Sequence, residues 1–505
     1  MRNQGLGSWP ARRTRMTPDG VALTYRDDRR TYRELATRVD RLASALRALG
    51  ARRGDRIAYL GANHPALVET FFAAGALGAV FVPLNTRLAA PELDYVLRDA
   101  GAEILLLGEG HDGAGLPGRH IGAGEYEDLV ASGDPMPLDE PVAQDDMCLI
   151  MYTSGTTGRP KGAVLTHANL IWNTFNLLVD VPFRHDEVTL ISAPMFHIAA
   201  LAQTLVPTVL KGGRVVLEPS FDVGRTFDLV EAERVTVMFG VPAMFTFLAQ
   251  SDRWPHADLT SLRHLLCGGA PVPEPLIRLY QDRGLTFLQG YGMTETAPGA
   301  LFLAAEQSIA KAGTAGVPCF FSDVKLVAPD GSPAAPGSPG EVYVQGPNVT
   351  PGYWKRPEET AEVLSNDGWF RSGDVGVADE DGYVRISDRI GDMFISGGEN
   401  VYPAEVESAL YSHPAVAEVA VIGVPDDKWG EVGKALVVLR PGAGARADEL
   451  IAHLYGRLAR YKIPKHVEFV PELPRNAAGK LLKTRIRALY GEAGSGSPDP
   501  RDTRR

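Results

Sequence analysis

Between residues 31 and 84 the chain passes twice from a helical pattern into a short apolar run, and this alternation constrains the fold more than any other feature. Thr31-Tyr32-Arg33-Glu34 has the form of a capping box, in which the threonine and glutamate side chains satisfy amides that the first helical turn leaves open. Leu35, Val39, Leu42, Leu46 and Leu49 then recur at helical spacing, and Gly50 marks the stop. A strand pattern follows over Arg56–Leu60, a helix over Pro65–Leu77 and a strand over Val80–Leu84. Apolar runs of strand length recur at 148–152, 188–192, 214–217, 235–239, 265–267 and 285–288, several of them separated by helical patterns. Such a succession predicts an α/β fold with largely parallel sheets.

The character changes after about residue 330. Asp330-Gly331 and the proline-rich stretch 333–339 form turns, and strands are expected at 341–345 and 383–386 among loops rich in Gly and Trp. From about Met393 a compact unit is expected, with a helix at 404–411, strands at 419–424 and 434–439 and a helix at 447–461. Residues 491–505 lack large apolar side chains and read as a disordered tail. The chain therefore divides into a large domain of stacked α/β sheets over 1–388, a hinge at 389–392, and a small mobile α+β domain over 393–490.

At 505 residues the chain is too long for one compact core. A net charge of −11 provides no global positive field for nucleic acid or anionic lipid, although short basic patches can still meet a phosphate. Cys148, Cys267 and Cys319 are odd in number and widely spaced, which suits neither a disulfide framework nor a metal site and fits a reducing cytoplasm. The arginine-bearing N-terminus lacks the apolar stretch of a signal peptide. The longest apolar stretch, 71–84, is too short to span a bilayer and reads as a buried helix running into a strand, which leaves room for loose peripheral membrane contact.

Chemistry is densest in Tyr152-Thr153-Ser154-Gly155-Thr156-Thr157-Gly158-Arg159-Pro160-Lys161-Gly162, which leaves an apolar strand. Glycines bare backbone amides, hydroxyls add donors and Lys161 adds a mobile positive charge, a combination suited to a polyphosphate. The spacing is not that of a Walker A loop. Further strings follow in order: Ala193-Pro194-Met195-Phe196-His197, Gly268-Gly269-Ala270-Pro271, Gln289-Gly290-Tyr291-Gly292-Met293-Thr294-Glu295, Gly368-Trp369-Phe370-Arg371-Ser372-Gly373-Asp374, Asp388-Arg389, Ser396-Gly397-Gly398-Glu399-Asn400 and Pro474-Arg475-Asn476-Ala477-Ala478-Gly479-Lys480. Together they resemble, over essentially the whole chain, the adenylate-forming superfamily of acyl-CoA synthetases, peptide-synthetase adenylation domains and luciferases.

The resemblance implies a ligase that activates a carboxylic acid with ATP, releases pyrophosphate and passes the acyl group to coenzyme A. It implies that Thr153, Ser154, Gly155, Thr156, Thr157 and Lys161 embrace the phosphates, and that Glu295, with Thr156, holds Mg²⁺. Thr294 meets the α-phosphate, Asp374 and Arg389 hold the ribose, and Gly269, Ala270, Pro271, Gln289, Gly290 and Tyr291 surround adenine. Lys480 is the implied catalytic cation of adenylation. His197 is the implied gate to an acyl pocket shared with Ala199, Ala270 and Gly290, and Gly397 and Gly398 line the path of pantetheine. In family relatives the hinge residue is usually Lys or Asp, whereas this chain has Gly391, which permits the swing of the tail but supplies no charge.

For the acid, residues 1–9 and 289–299 look like actinobacterial feruloyl-CoA synthetases, whereas 85–92 and 194–201 look like mycobacterial-type fatty-acyl-CoA synthetases. Ala199, where coumarate ligases often carry tyrosine, weakens a phenol-specific pocket, and Ala200, Ala297, Gly299 and Ala300 leave room for an apolar substrate. The expectation is a fatty or arylalkenoic acid. Alternatives are a stand-alone module loading a carrier protein, a luciferase-like oxygenase and a noncatalytic binder.

Overall fold

The computed structural model describes residues 2–154, 160–269, 272–285, 287–389, 392–396, 399–401, 403–426, 429–455, 457–458, 460–475 and 481–491. The capping box forms: Thr31 accepts from the Glu34 amide, the Glu34 side chain accepts from the Thr31 amide, and the helix Tyr32–Ala48 turns its Leu35, Val39, Leu42 and Leu46 face inward. Gly50 follows at φ +108, in the left-handed region that glycine enters without strain. Helix Pro65–Leu77 is buried at every residue, as a helix apolar on all sides must be. Gly78 at φ +71 ends it and delivers the chain into the strand Val80–Leu84.

Two large sheets form the body. One has nine strands in the order Val317–Pro318, Gly299–Phe302, Phe287–Gly292, His264–Cys267, Val237–Gly240, Val188–Ile191, Arg214–Leu217, Val21–Tyr25 and Asp28–Thr31; it is parallel from Phe287–Gly292 to Val21–Tyr25 and antiparallel at both margins. The other has seven strands in the order Gly352–Tyr353, Pro160–Thr166, Met147–Ser154, Val80–Leu84, Arg56–Leu60, Ala102–Leu107 and Arg119–Ile121. A single apolar cluster joins their faces through the Pro65–Leu77 helix, with Ile57, Phe81 and Leu149 from one sheet and Leu23, Val215 and Leu266 from the other. Inside this body Glu69 is fully buried, and Arg30, Arg38 and the Tyr126 hydroxyl all donate to its carboxylate.

A four-stranded antiparallel sheet, Asp323–Val327, Pro339–Gln345, Phe370–Ala378 and Val384–Arg389, follows the body. The tail has its own sheet: Glu399–Val401, Phe394–Ser396, Gly430–Leu439 and Val416–Asp426, with His466–Phe469 added in parallel to Gly430–Leu439. Two apolar clusters cover it, and both draw only on residues from 394 onward. The helix expected at 447–461 ends at Leu454, because Tyr455 turns extended (φ −63, ψ 134) just before Gly456, a poor helix former. Arg487, on the final helix Lys483–Tyr490, donates to the Asp392 backbone carbonyl and carboxylate at 3.2 and 2.8 Å. Gly391, the expected disordered tail beyond 491, and the segment 476–480 lie outside the described residues. Among the described residues no helix is long and apolar enough to cross a membrane. The three cysteines are buried free thiols.

Candidate active site

The hydroxyl-rich string lies between two antiparallel strands, Met147–Ser154 and Pro160–Thr166, that pair Thr153 with Lys161 and Ser154 with Pro160. The chain thus leaves and re-enters the sheet at one point; Gly155, Thr156 and Thr157 lie outside the described residues. Lys161 Nζ lies 2.8 Å from Glu359 Oε2 and 5.5 Å from the centre of the Tyr353 ring. Tyr353 belongs to a two-residue strand laid against Pro160–Thr166, opposite Ala163. Its hydroxyl donates to Glu295 Oε1 at 2.8 Å. Glu295 sits in the 3₁₀ turn Thr294–Thr296, 8% exposed, its backbone carbonyl accepting from the Thr350 amide at 2.7 Å, while Thr294 is half-buried. Three segments remote in sequence therefore bring a lysine, a tyrosine and two glutamates to one place.

Strand Phe287–Gly292 enters this place from the larger sheet. Gln289 is buried: its Nε2 donates to the Thr314 carbonyl at 2.8 Å, and its Oε1 has no protein partner. Two residues on, the Tyr291 hydroxyl donates to Asp374 Oδ2 at 2.7 Å. Asp374 is 7% exposed and stands opposite Arg389 in register, the last residue of its strand. A Cβ at Gly268 would lie 2.9 Å from the Gly290 carbonyl oxygen, so crowding requires glycine there, whereas at exposed Gly269 the backbone at φ +83 requires it.

The third wall is the turn before the helix Ile198–Ala200. Buried Asn63 pins it from both sides, donating to the Ala193 carbonyl and accepting from the Met195 amide, each at 2.9 Å. His197 packs edge-on to Phe196 with ring centres 4.7 Å apart, and its Nε2 is buried without a partner. Burial, with Arg87 nearby, pushes its pKa down to about 4, so the ring is neutral at physiological pH. Ala199 is half-buried beyond it, and the helix widens into a π-helical turn over Leu201–Leu205. Such turns recur at functional sites.

The structure brings Lys161 and Glu295 together through Tyr353, and Asp374 to Tyr291. Ala270, Pro271, Gly397, Gly398 and Lys480 fall outside the described residues. Sequence reasoning missed Tyr353, Glu359 and Asn63. Tyr353 and Glu359 lie in a run, Gly352-Tyr353-Trp354-Lys355-Arg356-Pro357-Glu358-Glu359, whose density of charged and aromatic residues was a signal; Asn63 gives none. Among the described residues no group of three or more His, Cys, Asp or Glu could hold a metal.

Residues 10–354 match the model of the AMP-binding enzyme family, and residues 405–480 match that of the AMP-binding enzyme C-terminal domain. The chain is 56% identical to a feruloyl-CoA synthase of an Amycolatopsis species over 97% of this chain and all of the relative. It is 40% identical to the long-chain-fatty-acid–CoA ligase FadD13 of Mycobacterium tuberculosis, over 92% of this chain and 94% of that one. The o-succinylbenzoate CoA synthetase of Bacillus subtilis, solved with its acyl-adenylate intermediate, superimposes with a TM-score of 0.87 at 36% identity, covering 95% of this chain and 98% of that one.

Proposed function

The chain belongs to the AMP-binding enzyme family and is an AMP-forming acid–thiol ligase, and from that premise we propose that the acid it activates is an arylalkenoic acid of the ferulate class. The observation that carries the choice is the 56% identity to a feruloyl-CoA synthase along nearly the entire chain, against 40% to a fatty-acid ligase.

ATP and coenzyme A are its co-substrates. In this reading Lys161 and the hydroxyls of 153–157 meet the phosphates, Thr294 the α-phosphate and Asp374, with Arg389, the ribose. The buried, unpartnered Oε1 of Gln289 is an acceptor for a donor on the base. Mg²⁺ usually binds through one or two carboxylates with water and substrate phosphate, so the single carboxylate of Glu295, steadied by Tyr353, fits it. Bound there, the ion would neutralise phosphate charge. The acid enters beside His197, whose neutral, buried ring neither repels nor attracts a carboxylate strongly. Lys480 then supplies the ammonium that lets carboxylate approach phosphate, since two anions must otherwise meet unaided. In this reading Gly397 and Gly398 leave the pantetheine path clear, and the unit after residue 392 turns at the hinge 389–392 between the two half-reactions.

A panel of C2 to C18 acids and cinnamates, scored by ATP- and CoA-dependent thioester formation, tests the substrate. Ferulate is expected to exceed octanoate in kcat/KM by more than tenfold; octanoate at or above ferulate would overturn the reading. Acceptance of amino acids in ATP–pyrophosphate exchange would instead indicate a carrier-loading module.

A further inference from the structure

The helix Pro357–Val363 begins four residues after Tyr353, and its first turn carries Glu358 and Glu359. Glu359 Oε2 is buried, and the Lys161 ammonium faces it at 2.8 Å. The two meet as charges, without the alignment of a hydrogen bond. Such a pair lacks the directional strength of a charge-assisted hydrogen bond and yields more easily. With side chains only 16% and 31% exposed, the pair is also only partly screened by solvent and salt.

The carboxylate is held from behind. Arg356 Nε lies 3.8 Å from Glu359 Oε1. The Arg356 guanidinium donates in turn to Asp99 Oδ1 at 2.6 Å and to the Tyr95 hydroxyl at 3.0 Å, both on the helix Ala90–Ala100. Asp99 Oδ2 accepts from the hydroxyl of Tyr152, where the hydroxyl-rich string begins, at 2.7 Å. Glu359 therefore keeps a fixed cation beside it when the mobile one moves. A carboxylate is a costly partner for a lysine that meets phosphate. The carbonyl of a neutral amide could hold the ammonium without opposing an incoming anion, whereas Glu359 and a polyphosphate must compete for one positive charge and repel each other.

We propose that Glu359 is a positioning residue that draws the Lys161 ammonium away from pyrophosphate, so that this product leaves instead of being retained. No covalent bond changes in the exchange: one ion pair replaces another. ATP meets the same competition on entry. This rests on the reading that Lys161 meets the phosphates, and deepens it by giving that lysine a competing partner within the fold.

The test is inhibition of thioester formation by inorganic pyrophosphate, measured against ATP at fixed Mg²⁺ with the best acid of the panel. It compares the parent with Glu359→Gln, which keeps the shape and removes the charge. The variant is expected to lower both the inhibition constant of pyrophosphate and the KM for ATP by about threefold to fivefold, the size of a part-exposed ion pair. A residue that merely steadied Lys161 or the local fold would shift both constants the other way, so unchanged or raised values overturn the proposal. Lys161→Met excludes plain repulsion between Glu359 and the anion: in that background Glu359→Gln should leave the inhibition constant nearly unchanged, and an equal tightening overturns the proposal. If the double variant does not fold, Glu359→Asp replaces it, since it keeps the charge but withdraws it from the ammonium. It should tighten pyrophosphate as Gln does, and parent-like inhibition overturns the proposal. Lys161→Met alone should weaken pyrophosphate. An unchanged constant there would overturn the phosphate reading itself, whereas weakening there without tightening in Glu359→Gln removes only the role of Glu359.

Discussion

The Tyr353 hydroxyl donates to Glu295 Oε1 at 2.8 Å, while the same ring faces the Lys161 ammonium. One side chain thus spans the residue assigned to the metal and the residue assigned to the phosphates. Orienting contacts of this kind typically affect metal affinity about 10–100-fold. Tyr353→Phe is therefore expected to raise the half-saturating Mg²⁺ concentration for pyrophosphate release about tenfold or more, with the acid's KM little altered. A Mg²⁺ titration of the two proteins measures it, and coincident curves would remove Tyr353 from the site.

Asp374 and Tyr291 give a second expectation. A buried carboxylate with one tyrosine donor retains acceptor capacity for a ribose. Asp374→Ala should raise the KM for ATP by about tenfold or more, since charge-assisted hydrogen bonds contribute about 1.5–3 kcal/mol each. Tyr291→Phe should act in the same direction and more weakly. Initial rates against ATP at saturating acid decide it; an unchanged KM would place the ribose elsewhere.

Lys480 is the residue on which the half-reactions should separate. Removing one preorganised donor at a transferring group costs about 10²–10³ in rate. Lys480→Ala is expected to lose adenylation by that factor while still converting supplied acyl-adenylate and coenzyme A to thioester. Rapid-quench assays of each half-reaction distinguish this from equal losses in both, which would contradict the assignment.

Two histidines make stability fall on the acid side. Burial pushes His167 and His197 down to about 4 from the ordinary value of 6.5. Above pH 6.5 neither the folded nor the unfolded chain protonates them, so their neutral burial costs nothing. As pH falls from 6.5 towards 4, the unfolded chain binds protons that the folded one refuses, and stability is lost. Urea unfolding at pH 7.5 and pH 5 should show a smaller drop for His197→Gln than for the parent, by about 1–2 kcal/mol. Equal drops would mean that His197 titrates normally in the fold.

Glu69 tests the scaffold. It is fully enclosed, and Arg30, Arg38 and Tyr126 all donate to it, so its removal leaves arginine charge without its buried counterpart. Glu69→Ala is expected to destabilise by about 3–5 kcal/mol. Denaturant midpoints with an unchanged slope would establish that value, and a loss below 1 kcal/mol would show that water reaches the arginines.

Local rules carried much of the fold into the sequence. The capping box at Thr31, the helix Pro65–Leu77 and the strands Arg56–Leu60 and Val80–Leu84 were legible because amide satisfaction and apolar periodicity act over a few residues. The helix from Ala447 was overextended because apolar spacing continues through Leu458 and Tyr461 after the backbone has turned at Tyr455. At the site, Glu295 and Asp374 stood out within ordered motifs. Tyr353 did not, since its importance comes from strand pairing with a segment nearly two hundred residues earlier.

The hold of Arg487 on Asp392 has a mechanical meaning. In the turning of the tail proposed above, that hold would carry residue 392 with the last helix, while Arg389 is paired in the preceding sheet. The proposed turning then falls on Ile390 and Gly391, which lie between them in the sequence. One of the two is glycine, whose wider range of backbone angles suits such a turn.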